Sequence, residues 1–430
     1  MPRKAKKLQE IREVFEENEV DVTLFDDVIV MEELKKRLDV ITDKRHESYI
    51  RHKLIDIIII TLLAIMSNAN EWLEIEVFGK TKEKWLRRFL ELPNGIPSDD
   101  TFRIVISSLN SNYFYSLVVD FLIEKMNALL NAAGKVNEEL EEDKDIISLD
   151  GKTSCGSKRN KTDKDGAKAL HTLNAYSSDN GMCIGQVFVD EKSNEIPATL
   201  DLLDIIDVKG TIVTWDALNT QKETVKKVID SGGDYVGALK GNQHNFYKDI
   251  KDYFEDDVLN DIRNNKINYV KSTEKEHSAI VSREYFLCDN IEWLYDKKKW
   301  KGLRAIGVER KSIEKLNGES TVEERYFISS LTNIKDFSRS IRGHWGVENG
   351  LHWHLDFTFK DDKNTTMDKN GARNLQLIKK VALSILKISQ ALYRASLKNI
   401  RYRLSLNFEG EIEKIFGMLN EHDFKEALNR

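Results

Sequence analysis

Three carboxylates and a cluster of histidines are the residues on which this sequence could build chemistry. Asp150 closes the apolar run IISLD and precedes Gly151 and Lys152; Asp216 closes TIVTWD. The segment RGHWGVENGLHWHLDFTF (342–359) sets Glu348 between His344 and His352, with His354, Trp345 and Trp353 beside them. At helical spacing, His344, Glu348 and His352 fall one turn apart and form one stripe. Carboxylates without cysteine partners suit hard, oxygen-seeking ions, above all Mg2+ or Mn2+. Two such ions about 3.5–4 Å apart clamp the attacking and leaving oxygens of an in-line phosphoryl displacement. Each residue also has a plainer reading. Asp-Gly is a common turn pair, Asp after a strand caps the next helix, and 342–359 reads equally as a half-buried amphipathic helix whose tryptophans pack onto a sheet. A second chemistry stays open: His344, Glu348, His352 and His354 as ligands of zinc or iron.

For the two aspartates to meet, their strands must be neighbours. DIISLD (145–150), AKALHTLNAYS (167–177) and MCIGQVFVD (182–190) read as three successive strands. A helix at 197–208, a strand at 210–217, a helix at 220–232 and a strand at 234–240 follow. A long, charged, strand-rich stretch (about 255–330) then intervenes before the histidine segment. The order β-β-β-α-β-α-β describes a mixed sheet covered by helices, an α/β fold. Its first and fourth strands can be adjacent, and ends of strands are where such sheets keep their sites.

The remainder is helical. Residues 1–45 read as charged helix without a clear core, and 46–135 as a small all-helical domain. In that domain LIDIIIITLLAIM (54–66) is a buried helix, 71–92 is amphipathic, and Ser98 caps a helix that begins at Pro97-Ser98-Asp99. The acidic stretch 136–145 is a linker, 146–400 the catalytic domain, and 401–430 a helical tail.

Composition narrows the function. The net charge of −6 over 430 residues argues against indiscriminate nucleic-acid binding. Between Lys369 and Phe408, however, nine basic residues occur without an acidic one, including Arg373, Lys379, Lys380 and Lys387. They form an expected surface for DNA phosphates. Lys152 and Lys240, which follow strand ends, are further candidates, and His344 and His352 are expected to touch phosphate or orient Glu348. Cys155, Cys183 and Cys288 are scattered, which fits a reduced compartment and no zinc knuckle. No run is long enough to span a membrane, and the N-terminus shows no apolar signal core, so a cytoplasmic protein is expected.

A series of stretches in one order resembles the DDE transposases of bacterial insertion sequences, in their H-repeat-associated branch. They are GIPSDDTF, LDGKT (149–153), EKSNEIPATLDLLD (191–204), TIVTWDALNTQ (211–221), GDYVGALKGNQ (233–243), RYFISSL (325–331), HWGVENGLHWHLDFTFKDD (344–362) and NGARNLQLIKKVALSILK (370–387). The resemblance implies a ribonuclease-H-like fold with the triad Asp150, Asp216 and Glu348, and two Mg2+ or Mn2+ ions. It also implies an N-terminal helical domain that binds DNA. The partners implied are double-stranded DNA, as terminal inverted repeats and target, and a homodimer or higher oligomer in the complex that joins the ends. Such a protein would be nucleoid-associated when bound. The broader superfamily places Tyr seven before, Arg four before and Lys seven after the third acid; here those positions hold Ile341, His344 and Leu355. Gly346 and Gly350 flank Glu348 at about 1 kcal/mol each against alanine in a helix, which suggests close approach of DNA or drift in a decaying element. A derivative that binds DNA without catalysis is the alternative from another class.

Overall fold

The computed structural model describes residues 5–135, 143–154, 156, 169–189, 195–276, 279–364, 366 and 368–429. Most of the acidic linker (136–142) and Cys155 lie outside them.

The β-branched runs form the strands expected, with shifted ends. They are β1 (Ile146–Ser154), β2 (Leu170–Ser177), β3 (Met182–Val189), β4 (Ile212–Trp215) and β5 (Asp234–Leu239). The intervening helices are α7 (Glu195–Ile205) and α8 (Lys222–Asp230). The order across the sheet is β3-β2-β1-β4-β5, with β1, β2 and β3 antiparallel and β4 and β5 parallel to β1. That is the ribonuclease-H-like arrangement.

The strand-rich stretch at about 255–330 extends the same sheet. After α9 (His244–Tyr253) and α10 (Asp256–Asn265) come β6 (Tyr269–Glu276), β7 (Ala279–Cys288), β8 (Ala305–Lys315) and β9 (Ser320–Ser329). β9 pairs antiparallel with β5, and the sheet continues β9-β8-β7-β6 to nine strands. An open β5 edge would be a template for foreign strands, and this meander covers it.

Period-two alternation divides the central strands. Ile147, Leu149, Leu173 and Ala175 bury into a core under α7 and α8. Ser148, Asp150, Lys152 and Ser154 therefore point to the opposite face, where α11 (Ile334–Val347) and α12 (Lys369–Ser389) lie.

The helical parts share one core. α1 (Lys6–Glu17), α2 (Asp27–Leu38), α3 (Leu54–Met66), α4 (Trp72–Leu86), α5 (Asp99–Ser108) and α6 (Ser111–Ala132) pack with α12, α13 (Leu397–Leu406), α14 (Phe408–Gly417) and α15 (Glu421–Leu428). Residues 1–45 have no core of their own but contribute Ile11, Val14, Met31 and Leu34 to this shared one. The 401–430 segment packs into it as well, with Phe408, Ile412, Phe416 and Phe424 buried. α3 and the Ser98 cap stand as expected: Ser98 Oγ accepts from the Thr101 amide.

Candidate active site

The parallel pairing of β1 with β4 sets Leu149 opposite Trp215. Asp150 and Asp216 are the next residues along, so they stand at one level on adjacent strands. Asp150 is not in a turn: β1 runs on to Ser154, and Asp150 pairs across with Asn174 of β2. Gly151 is needed for room. A Cβ there would run into the Glu195 carboxylate and lie 3.0 Å from the His171 ring. Asp216 is partly fixed by Asn219, whose backbone amide (3.2 Å) and Nδ2 (3.1 Å) both donate to Oδ1. The same Nδ2 donates to Glu195 at 3.0 Å, and His171 Nε2 is 2.7 Å from the other Glu195 oxygen.

The third acid arrives from the histidine segment, but not on a regular helix. α11 ends at Val347, and residues 348–352 and 354–358 form π-helical turns. The wider turn still places Glu348 and His352 together: His352 Nδ1 lies 3.6 Å from Glu348 Oε2 and 3.6 Å from Asp150 Oδ2. One ligand atom from each of Asp150, Glu348 and His352 falls within 4.8 Å of the others. Burial first, and then the neighbouring Glu348 charge, hold Asp150 well above the usual carboxylate range. The His352 imidazole beside it leads in pulling Glu348 down. A crowded acidic pair of this kind has a deficit of positive charge that a divalent cation would fill.

The glycines around Glu348 answer to the sheet. A Cβ on Gly350 would lie 2.8 Å from Tyr176 Cζ of β2, and one on Gly343 2.9 Å from Ile146 Cδ1 of β1. Gly346 faces the same Tyr176 ring at 3.4 Å. The close approach is to β1 and β2. The tryptophans, expected to pack on the sheet, face outward instead. Trp345 is 41% and Trp353 51% exposed, with Phe357 (58%) stacked on Trp353 at 4.7 Å. The inner face is filled by Val347, Leu351 and Leu355.

The residues expected to hold DNA are mostly elsewhere. Lys379 and Lys380 are 1% exposed and Lys387 7%, which removes them from a phosphate-binding surface. Lys379 pairs with the buried Asp361 at 3.4 Å, Lys380 donates to Asn174 and Gln186, and Lys387 donates to Tyr176 Oη (2.9 Å) and the Gly181 carbonyl (2.8 Å). α12 is buried almost throughout without being apolar throughout: Gln376, Lys380 and Lys387 form one stripe at helical spacing that faces β2 and β3, and Lys379 turns to Asp361, so the lysines lie inside. Lys152 is also buried, and its ammonium sits 2.5 Å from Asp356, eight residues after Glu348. Arg373 is partly buried, its guanidinium 4.8 Å above the Phe188 ring. Lys240, beyond β5, is exposed.

The histidines do not gather around one ion. His344 Nδ1 is 3.0 Å from Thr214 Oγ1 of β4, and His354 Nδ1 is 3.3 Å from Thr358. Burial brings both rings down to about 4, so they are neutral. Only His352 of the four-ligand set joins Glu348, which removes the basis for a histidine-built zinc or iron site. Sequence reasoning missed Asn174, Glu195, Asn219 and Asp361: the last three lie inside quoted family-like stretches, yet only Asn219 acts on a near neighbour, Asp216, while the others meet partners distant in sequence.

The model of the transposase DDE domain matches residues 141–385, and that of the DDE_Tnp_1-associated region matches residues 35–122. The chain belongs to the DDE transposase family. "H repeat-associated putative transposase YhhI" of Escherichia coli (strain K12) is 33% identical to this transposase over 86% of this chain and 93% of its own. "Putative transposase YncI" of Escherichia coli O157:H7 is 32% identical over 90% of this chain and 95% of its own. A solved piggyBac transposase synaptic complex with hairpin DNA matches 96% of this chain and 82% of its own at 11% identity, with a TM-score of 0.37. The family's members typically use divalent metal ions. The oxygen donors of this transposase fit that chemistry: Asp150 and Glu348 meet beside His352, and Asp216 stands level with Asp150. Among the described residues, no helix is long and apolar enough to cross a membrane.

Proposed function

We propose that this transposase binds the terminal inverted repeats of its own element and catalyses metal-dependent cleavage and strand transfer of DNA, with Asp150, Asp216 and Glu348 as the acids that hold the metal. The observation that carries the reading is that Asp150 of β1 and Glu348 of the facing π-helical segment meet beside His352, with Asp216 level with Asp150 at the end of the parallel neighbour β4. Two Mg2+ or Mn2+ ions held there would activate a water or 3′-hydroxyl and neutralise the leaving oxygen. The protein's own contribution is position. The β1–β4 pairing fixes the two aspartates to backbone, and the Lys152–Asp356 ion pair ties the Glu348 segment to β1 two residues past Asp150. The Glu348 side chain is 54% exposed, which leaves the site open to a DNA strand. Trp345, Trp353 and Phe357 offer exposed ring faces to bases beside it, and Lys240 a cation to phosphate. A homodimer or higher oligomer would bring the two ends together.

The test is a nicking and joining assay on duplex DNA carrying the repeats that flank the gene. Cleavage at the repeat ends with Mg2+ or Mn2+, without added zinc, is expected. Specific binding without cleavage in any divalent ion would assign the chain to the non-catalytic alternative.

A further inference from the structure

The buried Lys380 and Asn174 have no part in the function proposed above, yet they form a chain that ends at the acids. Lys380 Nζ contacts Asn174 Oδ1 and Gln186 Oε1. An ammonium only donates, so this contact fixes which end of the Asn174 amide is oxygen. Its NH2 group then faces away from Lys380, toward the carbonyls of Thr172 (3.2 Å) and Asp150 (3.4 Å) and toward His352 Nε2 (3.2 Å). An amide NH2 has no lone pair to offer, so His352 Nε2 accepts. In a neutral imidazole the proton is then on Nδ1. Nδ1 is the atom that stands 3.6 Å from both Asp150 and Glu348.

We propose that Lys380 and Asn174 are positioning residues that hold His352 in the Nδ1–H tautomer, so that it presents a hydrogen to Asp150 and Glu348 and does not ligate metal. The inference rests on the carboxylate site proposed above. Its consequence is selectivity. The three groups lie close enough to make a mixed nitrogen–oxygen site, the kind that favours zinc and other transition metals. A proton on Nδ1 occupies the only nitrogen lone pair that could reach such an ion, and leaves the site to oxygen donors. At 3.6 Å the Nδ1–H contacts are longer than good hydrogen bonds, so the ring steers the two carboxylates without tying up either.

Asn174→Asp inverts the arrangement in one atom. A carboxylate at 174 can still accept from Lys380 but can only accept from His352, so the ring proton must move to Nε2 and Nδ1 must turn its lone pair to the acids. The experiment uses the full chain labelled with 15N-histidine, with the His352 signals identified by their loss in His352→Gln. The wild type should show the proton on Nδ1, and Asn174→Asp should show it on Nε2. Zinc binding, measured by calorimetry with Zn2+ alone, should be at least about tenfold tighter in Asn174→Asp than in the wild type. The added affinity should vanish in Asn174→Asp/His352→Gln. Lys380→Met, which frees the amide to turn, should give a mixture of the two tautomers. A wild-type proton on Nε2, alone or together with Nδ1, overturns the proposal whether or not any variant folds. Unchanged zinc affinity in a folded Asn174→Asp protein also overturns it. The Nδ1–H tautomer in a wild type that neither binds nor uses Mg2+ or Mn2+ would support the relay while sinking the carboxylate-site reading, so the two fail separately.

Discussion

Replacing Lys379 by Met should damage the fold and leave the salt dependence of DNA binding alone. Lys379 and Asp361 are each 1% exposed and 3.4 Å apart, so the pair is out of water. The lysine's loss leaves Asp361 with donors from Ser154 (2.7 Å) and Gln376 (3.1 Å) but no paired cation, only the weaker pull of the Lys152 charge. Breaking a buried pair from one side costs about 3–5 kcal/mol, whereas neutralising both partners restores much of it. At roughly 2 cal/mol/K of unfolding entropy per residue, that loss lowers the melting midpoint of a cooperative unit this size by about 3–6 °C. Differential scanning calorimetry of Lys379→Met, Asp361→Asn and the double variant forms a thermodynamic cycle, and the double variant should melt above Lys379→Met. Binding to a repeat-end duplex, measured against salt, should keep the wild-type slope, because a lost phosphate contact would remove about 0.9 from it. An unchanged midpoint together with a shallower slope would refute the reasoning and return Lys379 to a DNA-binding surface.

Asp150→Asn and Asp216→Asn should each abolish cleavage and joining while retaining specific DNA binding; cleavage by either folded variant would remove that residue from the triad. Gly350→Ala should destabilise by about 1–3 kcal/mol, against its helix propensity, because the new methyl meets Tyr176; a higher denaturation midpoint would contradict the packing account. His344 titrates near 4 in the folded chain against about 6.5 unfolded. The unfolded state therefore binds more protons between those values, and stability falls as pH drops from 6.5 toward 4, by up to about 3 kcal/mol. His344→Gln should flatten that acid arm in urea titrations, and an identical arm in both proteins would place the acid sensitivity elsewhere. His352→Gln should slow cleavage without erasing it, and Glu348→Gln should erase it; the reverse order would make the ring, not the acid, the essential group.

Much of this was legible in the chain because it is local. β-branched runs ending in Asp, the apolar 54–66 helix and the Ser98 cap are written in a few adjacent residues. So is the alternation of strand and helix that puts the first and fourth strands side by side. What depends on partners across the sheet was not. The excess of basic residues in 369–408 suggested a surface, but Gln376, Lys380 and Lys387 make one stripe of a helix that is buried almost throughout, which the charge count hid. Those lysines point inward because Asp361, Asn174, Gln186 and the Gly181 carbonyl wait there as acceptors. Gly346 and Gly350 looked like weaknesses until Tyr176 was seen opposite them. That the 255–330 stretch joins the main sheet was hidden by sequence distance, since β9 pairs with β5 across it.

The most direct test of the proposal that these acids hold the metal is Asp216→Cys, at an exposed position where the change spares the core. A thiolate is a poor ligand for Mg2+ and a better one for Mn2+. If Asp216 holds the ion, the variant should be inactive in Mg2+ and recover measurable repeat-end cleavage in Mn2+, while Asp216→Ala stays inactive in both. Equal activity of Asp216→Cys and the wild type in Mg2+, or cleavage by Asp216→Ala in either ion, would contradict a catalytic site built on these carboxylates.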